Sequence, residues 1–278
     1  MYPPAGIPRT KSNPQNSESA NSITKKMTML NQDQLRKSYD ADGFVIIRGL
    51  YSSAEVEELN AQVERYIREV VPTLPKEAAF YDDYSRPETL RKMQSLDKRD
   101  AWFRQFMNEG KHVPLLEFFL RDTFSPQGLE WFTKLPYDRA ATPAHQDGFY
   151  WCRKPNNACG LWIALEPVDR TNACLWYARG SHLQGIMPHA ASGVLGFSQG
   201  LVGFDPQAVD AVPIELAPGD AVAHHSATIH WTGPNETPRT RRAISTFCFG
   251  GSTVRDEDAH ARYTASLKSQ LAARGIES

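Results

Sequence analysis

The sequence predicts an α+β fold with a β-sheet core of the jelly-roll type and helices before and after it in the chain. From about Gly128 onward, short segments rich in β-branched and aromatic residues are separated by Pro, Gly, Asn and Asp, which is typical of strands joined by turns. Helical patterns precede this region, and a segment containing Ala, Leu and Lys follows it. Many short strands between helices favour two sheets packed as a double-stranded β-helix, the architecture of jelly-roll and cupin-like cores.

The predicted elements follow in chain order. Residues 31–35 begin a capped helix, and the apolar run 44–47 is a short strand. Ser52 and Glu55 form a capping-box pattern at the start of a helix in which apolar residues recur at helical spacing. Further helices are expected at about 100–121 and 256–274, and strands at 129–135, 140–147, 159–165, 173–178, 212–216, 221–225, 228–231 and 241–249.

Length and composition indicate one folded domain preceded by a tail. The 278-residue chain is 41% hydrophobic and 23% charged, as expected for a globular protein with a substantial core. Residues 1–30 are rich in Pro, Ser, Asn and Thr and contain few apolar residues, so we expect a disordered tail there and a single domain over residues 31–278. A transit peptide is the alternative for the tail, because its basic residues outnumber its acidic ones.

Charge and cysteine content narrow the classes of function. The formal net charge of −1 argues against a surface for nucleic acid or for an anionic membrane. No apolar stretch approaches the roughly 20 residues needed to span a bilayer. The four cysteines form no CxxC pair, so reduced thiols are expected. We therefore expect a cytoplasmic protein that acts on a small molecule.

A histidine and an aspartate two residues apart carry the strongest chemical signal. Side chains at positions i and i+2 of a strand point to the same face, so His145 and Asp147 would reach one metal ion together. A neutral imidazole with a carboxylate suits non-haem Fe(II) when a third ligand leaves coordination positions open. On its own this pair is weak evidence, because such a spacing often arises by chance.

A second histidine group lies near the end of a later strand segment. His224, His225 and His230 follow the turn-forming Pro218-Gly-Asp220. His230 is the candidate for the third ligand. His224 and His225 are interpreted as structural groups or groups behind the ligands, and either of them stays open as an alternative ligand.

Two arginines follow this histidine group. The turn residues of 233–238 favour a hairpin that returns at Arg241. If the hairpin is centred between residues 235 and 236, His230 lies opposite Arg241 and both face one cavity, while Arg242 points away. A bulge would exchange the two arginines. A guanidinium beside a metal would bind the far carboxylate of a dicarboxylate cosubstrate such as 2-oxoglutarate.

The order of these motifs resembles that of the phytanoyl-CoA dioxygenase family of Fe(II)/2-oxoglutarate-dependent oxygenases. The resemblance extends from about residue 35 to residue 250. The matching elements are His145-Gln-Asp147, Gly160-Leu-Trp-Ile-Ala-Leu165, Gly180-Ser-His182, Pro218-Gly-Asp220, and His230 followed by Gly-Pro-Asn and then by Arg241-Arg242-Ala243.

The resemblance implies a role for each matching residue. It implies His145, Asp147 and His230 as the catalytic iron ligands, with Arg241 holding the far carboxylate of 2-oxoglutarate. It further implies cosubstrate contacts from Trp162, Lys92 and Thr232, where the family commonly has serine at the position of Thr232. Phe149, Tyr150 and Trp151 directly follow the metal motif, and they are the candidates for substrate contact.

The implied activity is hydroxylation of an unactivated C–H bond of a small molecule, with 2-oxoglutarate and O2 converted to succinate and CO2. Halogenation is disfavoured, because that branch replaces the carboxylate ligand by a small residue and Asp147 is present. A metal-binding barrel or sensor without turnover is the alternative from a different class. Such a barrel would not need an arginine at position 241.

Overall fold

The computed structural model describes residues 32–75, 78–194 and 197–273. The expected disordered tail and its transit-peptide alternative both concern residues 1–30, which lie outside the described residues. Among the residues that are described, no helix has both the length and the apolar character required to cross a membrane.

Capping side chains start two of the longer helices. Ser52 caps one helix by accepting a hydrogen bond from the Glu55 backbone, while the Glu55 carboxylate accepts one from the Ser52 N–H. Asp100 caps another through the N–H groups of Trp102 and Phe103. These caps satisfy N–H groups that have no partner within the helix. The helices are α1 (32–42), α2 (Ser53–Glu69), α3 (Leu96–Arg99), α4 (Ala101–Glu109), α5 (Val113–Leu120), α6 (Asp147–Trp151) and α7 (Glu257–Ala273).

The strands belong to two larger antiparallel sheets and two small ones. The major sheet has the order β1-β12-β7-β14-β4-β3-β2, and the minor sheet has the order β11-β8-β13-β5. Strands β9 and β10 pair with each other, as do β6 and β15. The strands are β1 (Phe44–Ile47), β2 (Ala79–Tyr81), β3 (Leu90–Met93), β4 (Phe124–Lys134), β5 (Thr142–His145), β6 (Arg153–Lys154), β7 (Ala158–Ala164), β8 (Leu175–Ala178), β9 (His189–Val194), β10 (Phe197–Leu201), β11 (Ala211–Ile214), β12 (Ala221–His225), β13 (His230–Thr232), β14 (Arg241–Gly250) and β15 (Val254–Arg255).

The major sheet is buried on both faces, and strand β7 shows the alternation. Leu161 and Ile163 belong to the apolar cluster that the helices α2, α4 and α5 cover. Trp162 and Ala164 belong to a second cluster, shared with Leu175, Tyr177 and Ile214 of the minor sheet. Because successive side chains of a strand point to opposite faces, the second cluster lies between the two sheets.

Most of the expected strands and helices are confirmed, although several bounds differ. The strands at 44–47 and 221–225 have the predicted limits, whereas the helical zone at 100–121 is divided into α4 and α5 around Gly110. Strands β2, β3, β6, β9, β10 and β15 were not predicted. The four cysteines are free thiols, as expected, and all four are buried.

Candidate active site

Three side chains that could together hold a metal ion converge between the two sheets. His145 is the last residue of β5, Asp147 is the first residue of α6, and His230 is the first residue of β13. His145 and His230 are directly opposite each other in the antiparallel pair. One potential ligand atom from each of the three residues lies within 4.8 Å of the others. Asp147 Oδ1 is 3.6 Å from His145 Nε2 and 3.8 Å from His230 Nε2.

The expected strand over residues 140–147 is wrong at its end, because it stops at His145 and Asp147 begins a helical turn. Side-chain contacts of Gln146 hold this change of direction. Its buried amide donates hydrogen bonds to the carbonyls of Gly185 and Ala227 and accepts one from the Met187 N–H. His145 and Asp147 therefore lie close together because a turn joins β5 to α6, and not because side chains two apart on a strand share a face.

Both histidines present an unprotonated nitrogen to the centre. His145 Nδ1 is 2.8 Å from the Pro143 carbonyl, and His230 Nδ1 is 3.0 Å from the Thr228 carbonyl. Because a carbonyl only accepts hydrogen bonds, each Nδ1 carries the proton and each Nε2 keeps its lone pair. Burial lowers the pKa of His145 and lowers that of His230 to about 3. Both rings are therefore neutral near pH 7, the form that binds a metal.

Asp147 is ionised despite its burial. Burial by itself raises the pKa of this carboxyl, but the neighbouring His230, a hydrogen bond from His224 and the other nearby histidines together hold the pKa well below its usual range. His224 Nε2 lies 2.9 Å from Asp147 Oδ2. His224 thus contacts the aspartate and is not in the three-residue group.

Arg241 is a buried cation that faces the same cavity. It is 4% exposed, and its guanidinium lies over the Trp162 ring, 5.1 Å from the ring centre. Its buried Nε has no hydrogen-bond partner among the described residues. Burial lowers the pKa of Arg241 to about 10, so the group remains charged at neutral pH. A buried charge without a partner is costly, and a bound carboxylate would offset that cost.

The expected hairpin between His230 and Arg241 is wrong, although both residues line the cavity as predicted. Strand β13 pairs with β5 and β8, whereas β14 pairs with β4 and β7. The connection crosses from one sheet to the other, and the buried Asn235 supports it by donating to the carbonyls of Leu135 and Arg239. Arg242 points away from the cavity and forms ion pairs with two glutamates.

A single cavity connects these groups. Its volume is about 290 Å³, and it is lined by His145, Asp147, His230, Arg241, Trp162, Thr232, Lys92, Tyr150 and Trp151 together with further residues. Lys92 lies on strand β3 and pairs with Glu130 at 3.1 Å. Phe149 is not in the cavity lining and stacks on His189, with 4.2 Å between the ring centres. Of the expected substrate contacts, only Tyr150 and Trp151 therefore border the cavity.

Comparison with known proteins identifies the family. A family model for phytanoyl-CoA dioxygenase (PhyH) matches residues 39–243, which is more than half of the chain. The chain belongs to the phytanoyl-CoA dioxygenase family. Among its relatives, the peroxisomal phytanoyl-CoA dioxygenase of Rattus norvegicus is 30% identical over 233 residues, 78% of this chain and 68% of that protein. The corresponding protein of Bos taurus is 27% identical over 237 residues, 80% of this chain and 69% of that protein.

Solved structures share the fold of this phytanoyl-CoA dioxygenase family member. The epimerase SnoN in complex with Fe3+, alpha ketoglutarate and nogalamycin RO has a TM-score of 0.65 and 21% identity, over 81% of this chain and 86% of that chain. EvdO2 from Micromonospora carbonacea var. aurantiaca has a TM-score of 0.64 and 25% identity, over 80% of this chain and 91% of that chain.

The donor set of this family member fits an iron ion and a dicarboxylate. Two imidazoles and one carboxylate form the ligand set typical of non-haem Fe(II) oxygenases. Each imidazole is oriented by a backbone carbonyl at its other nitrogen, as metal-binding histidines usually are. The unpaired Nε of Arg241 fits a carboxylate oxygen.

Several lining residues were not singled out from the sequence. Among them are Glu130, Tyr177, Ser245, Phe247 and Tyr263. Ser245 and Phe247 follow Arg241 at intervals of two along β14, and Glu130 lies opposite Ser245 on β4. The alternation along β14, together with its pairing to β4, was therefore the signal by which Ser245, Phe247 and Glu130 could have been found. Tyr263 comes from helix α7, and no local pattern indicated its position.

Proposed function

We propose that this chain is an Fe(II)- and 2-oxoglutarate-dependent dioxygenase that hydroxylates an unactivated C–H bond of a small molecule. The observation that carries the proposal is the buried Arg241, whose Nε has no hydrogen-bond partner among the described residues and which shares a cavity with the His145, Asp147 and His230 group. A metal-binding barrel alone would have no use for this charge. Residues 31–278 form one catalytic domain in this proposal, and the two larger sheets are the halves of a jelly roll.

The three converging residues hold the iron. His145 and His230 supply neutral Nε2 atoms, and Asp147 supplies a negative charge that offsets part of the metal's charge. When bound, Fe(II) supplies the redox chemistry by which O2 and 2-oxoglutarate oxidise the substrate C–H bond, with succinate and CO2 as the other products. Because three ligands occupy only part of the coordination sphere, the cosubstrate and O2 have positions to bind.

Arg241 orients the cosubstrate from the far side of the cavity. Its guanidinium pairs with the carboxylate of 2-oxoglutarate that is remote from the metal, in a dry environment where charge-assisted hydrogen bonds are strong. Trp162 supports the guanidinium with its ring face. The Thr232 hydroxyl, which also accepts a hydrogen bond from the Thr142 N–H, is a further contact for the cosubstrate. Lys92 also lines the cavity, where it pairs with Glu130.

The substrate enters beside the aromatic residues that follow the metal motif. Tyr150 and Trp151 border the cavity, and Trp151 stacks on Phe247 with 5.2 Å between ring centres. The Tyr150 hydroxyl donates to the Gln199 carbonyl, which fixes the ring. These rings would exclude water from the reacting groups, which limits side reactions of the oxidant.

Succinate release tests the proposal. Purified protein supplied with Fe(II), 2-oxoglutarate, ascorbate and O2 should form succinate, and the rate should rise with a suitable member of a panel of small molecules. An Asp147→Ala variant serves as the control and should form succinate at the background rate. Wild-type protein that binds iron but neither binds 2-oxoglutarate nor forms succinate would contradict the proposal and favour a binding barrel.

A further inference from the structure

His224 lines the same cavity and contacts the Asp147 carboxylate. It is on β12 of the major sheet, and its Nε2 is 2.9 Å from Asp147 Oδ2. The other aspartate oxygen, Oδ1, is the atom that faces His145 and His230. The two oxygens of the carboxylate therefore have separate neighbours: one faces the metal group, and the other contacts His224.

The hydroxyl of Tyr177 contacts the other nitrogen of the His224 ring. Tyr177 Oη is 2.9 Å from His224 Nδ1. Because an ionised carboxylate only accepts hydrogen bonds, His224 Nε2 must carry the proton that points to Asp147. In a neutral imidazole Nδ1 is then an acceptor, and the Tyr177 hydroxyl donates to it. In this arrangement, assigned from the partners of each atom, all three groups have their hydrogen bonds satisfied.

Strand pairing in the two sheets fixes the positions of the His224 and Tyr177 rings. His224 lies opposite Gly160 in the β12–β7 pair, and a Cβ at Gly160 would be 2.5 Å from His224 Cε1. The imidazole therefore occupies space that only glycine leaves open. Tyr177 lies opposite His230 in the β8–β13 pair and stacks on Phe44, with 4.8 Å between ring centres.

We propose that His224, oriented by the Tyr177 hydroxyl and accommodated by Gly160, is a positioning residue for the metal-binding carboxylate. It holds Asp147 with Oδ1 turned towards the two ligand histidines and keeps Oδ2 engaged away from the metal. Asp147 then offers one oxygen to the metal, which leaves the remaining positions for the cosubstrate and O2. This inference rests on the proposed function, because it assumes that the three-residue group binds Fe(II).

Metal affinity measured without oxygen and without 2-oxoglutarate tests the inference. Titration with Fe(II) should show affinity lower by about 10–100-fold for His224→Phe, which keeps a ring but has no donor. His224→Gln, whose amide still reaches the carboxylate, should recover most of that loss. His225→Gln is the matched control, because His225 is adjacent but bonds to the Ala227 N–H, and its Fe(II) affinity should equal that of the wild type.

Two further variants keep the test decisive if His224→Phe does not fold. Tyr177→Phe removes only the hydroxyl, and Gly160→Ala pushes on the ring; each should weaken Fe(II) binding more than the His225→Gln control does. Melting temperatures of the metal-free proteins separate a general loss of stability from a loss of metal affinity. Fe(II) affinities of His224→Phe or Tyr177→Phe equal to that of the control would overturn the inference. A wild-type protein that binds no Fe(II) would instead overturn the proposed function.

Discussion

Asp147 is the residue on which the metal site depends most. It carries the only negative charge of the three-residue group, and it contacts His145, His224 and His230. Removing the carboxylate would leave two neutral imidazoles, which bind a divalent ion much more weakly than the complete set. The surrounding histidines outweigh the effect of burial on its pKa, so the carboxylate stays ionised where an isolated buried acid would not.

Replacement of the aspartate should abolish iron retention. For Asp147→Ala, and likewise for His145→Ala, we expect no iron after gel filtration and no succinate above background. Iron content measured by plasma emission spectroscopy and succinate measured by chromatography check this expectation. Arg242→Ala is the control, because it alters only ion pairs on the opposite face of β14. Gln146→Glu is unsuitable as a control, because the Gln146 amide supports the turn. Undiminished turnover in either ligand variant would contradict the assignment.

The helices and central strands show how far local sequence determines the elements. The turn residues before β12 and the capping box of α2 are local features of the sequence, so both elements were predicted with correct starting points. The β13–β14 connection depends on which sheet each strand joins, and turn residues alone do not specify that choice. The hairpin prediction was therefore wrong, even though the alternation along β14 correctly separated Arg241 from Arg242.

The site itself was only partly predictable for the same reason. The ligand spacing and the arginine could be found in the sequence, whereas the Lys92–Glu130 pair and the His224–Tyr177 contact depend on strands from distant parts of the chain. Strand β3, which carries Lys92, has only four residues and no clear alternation. Phe149 follows the metal motif as closely as Tyr150 does, but the helical turn of α6 directs it towards His189.

The N-cap of α2 gives a prediction at the scale of an element. Ser52→Ala should reduce the free energy of unfolding by about 1 kcal/mol, because it removes the side-chain acceptor for the Glu55 N–H. Urea denaturation followed by circular dichroism measures this change. Ser53→Ala is the matched control: Ser53 is the exposed first residue of the helix, and its change should stay within about 0.5 kcal/mol. Equal effects of the two substitutions would contradict the assigned cap.

At the scale of the whole molecule, helices α2, α4 and α5 cover the outer face of the major sheet while the cavity opens between the sheets. The helix-covered cluster contains large side chains without exposure, such as Val63, Phe103 and Leu116. Each fully buried side chain of this kind contributes about 1.5–3 kcal/mol. This apolar packing keeps the major sheet rigid, so that residues from β7, β12 and β14 meet the minor sheet in a fixed arrangement.

Stability of the metal-free protein should fall as the pH falls from about 6.5 towards 4. Burial lowers the pKa of His112 to about 4, below the value of about 6.5 in an unfolded chain. Between these values the unfolded state binds the extra proton, so stability is lost as the pH decreases. His112 alone lowers the free energy of unfolding by about 3 kcal/mol between these two pH values.

Urea denaturation at a series of pH values measures this dependence. His112→Gln, which keeps a polar partner for the Tyr51 hydroxyl, should give a shallower decline than the wild type. A decline of the same steepness in the variant would show that His112 is not responsible.

The proposed cosubstrate site is tested most directly by the dissociation constant of 2-oxoglutarate for the Fe(II)-loaded protein under anaerobic conditions. Titration calorimetry would compare the wild type with Arg241→Ala and Arg242→Ala. A buried charge-assisted hydrogen-bond pair contributes about 1.5–3 kcal/mol, so Arg241→Ala should weaken binding by about 10–150-fold, while Arg242→Ala should stay within about threefold of the wild type. Unchanged binding in Arg241→Ala, or a larger loss in Arg242→Ala, would contradict the proposed cosubstrate site.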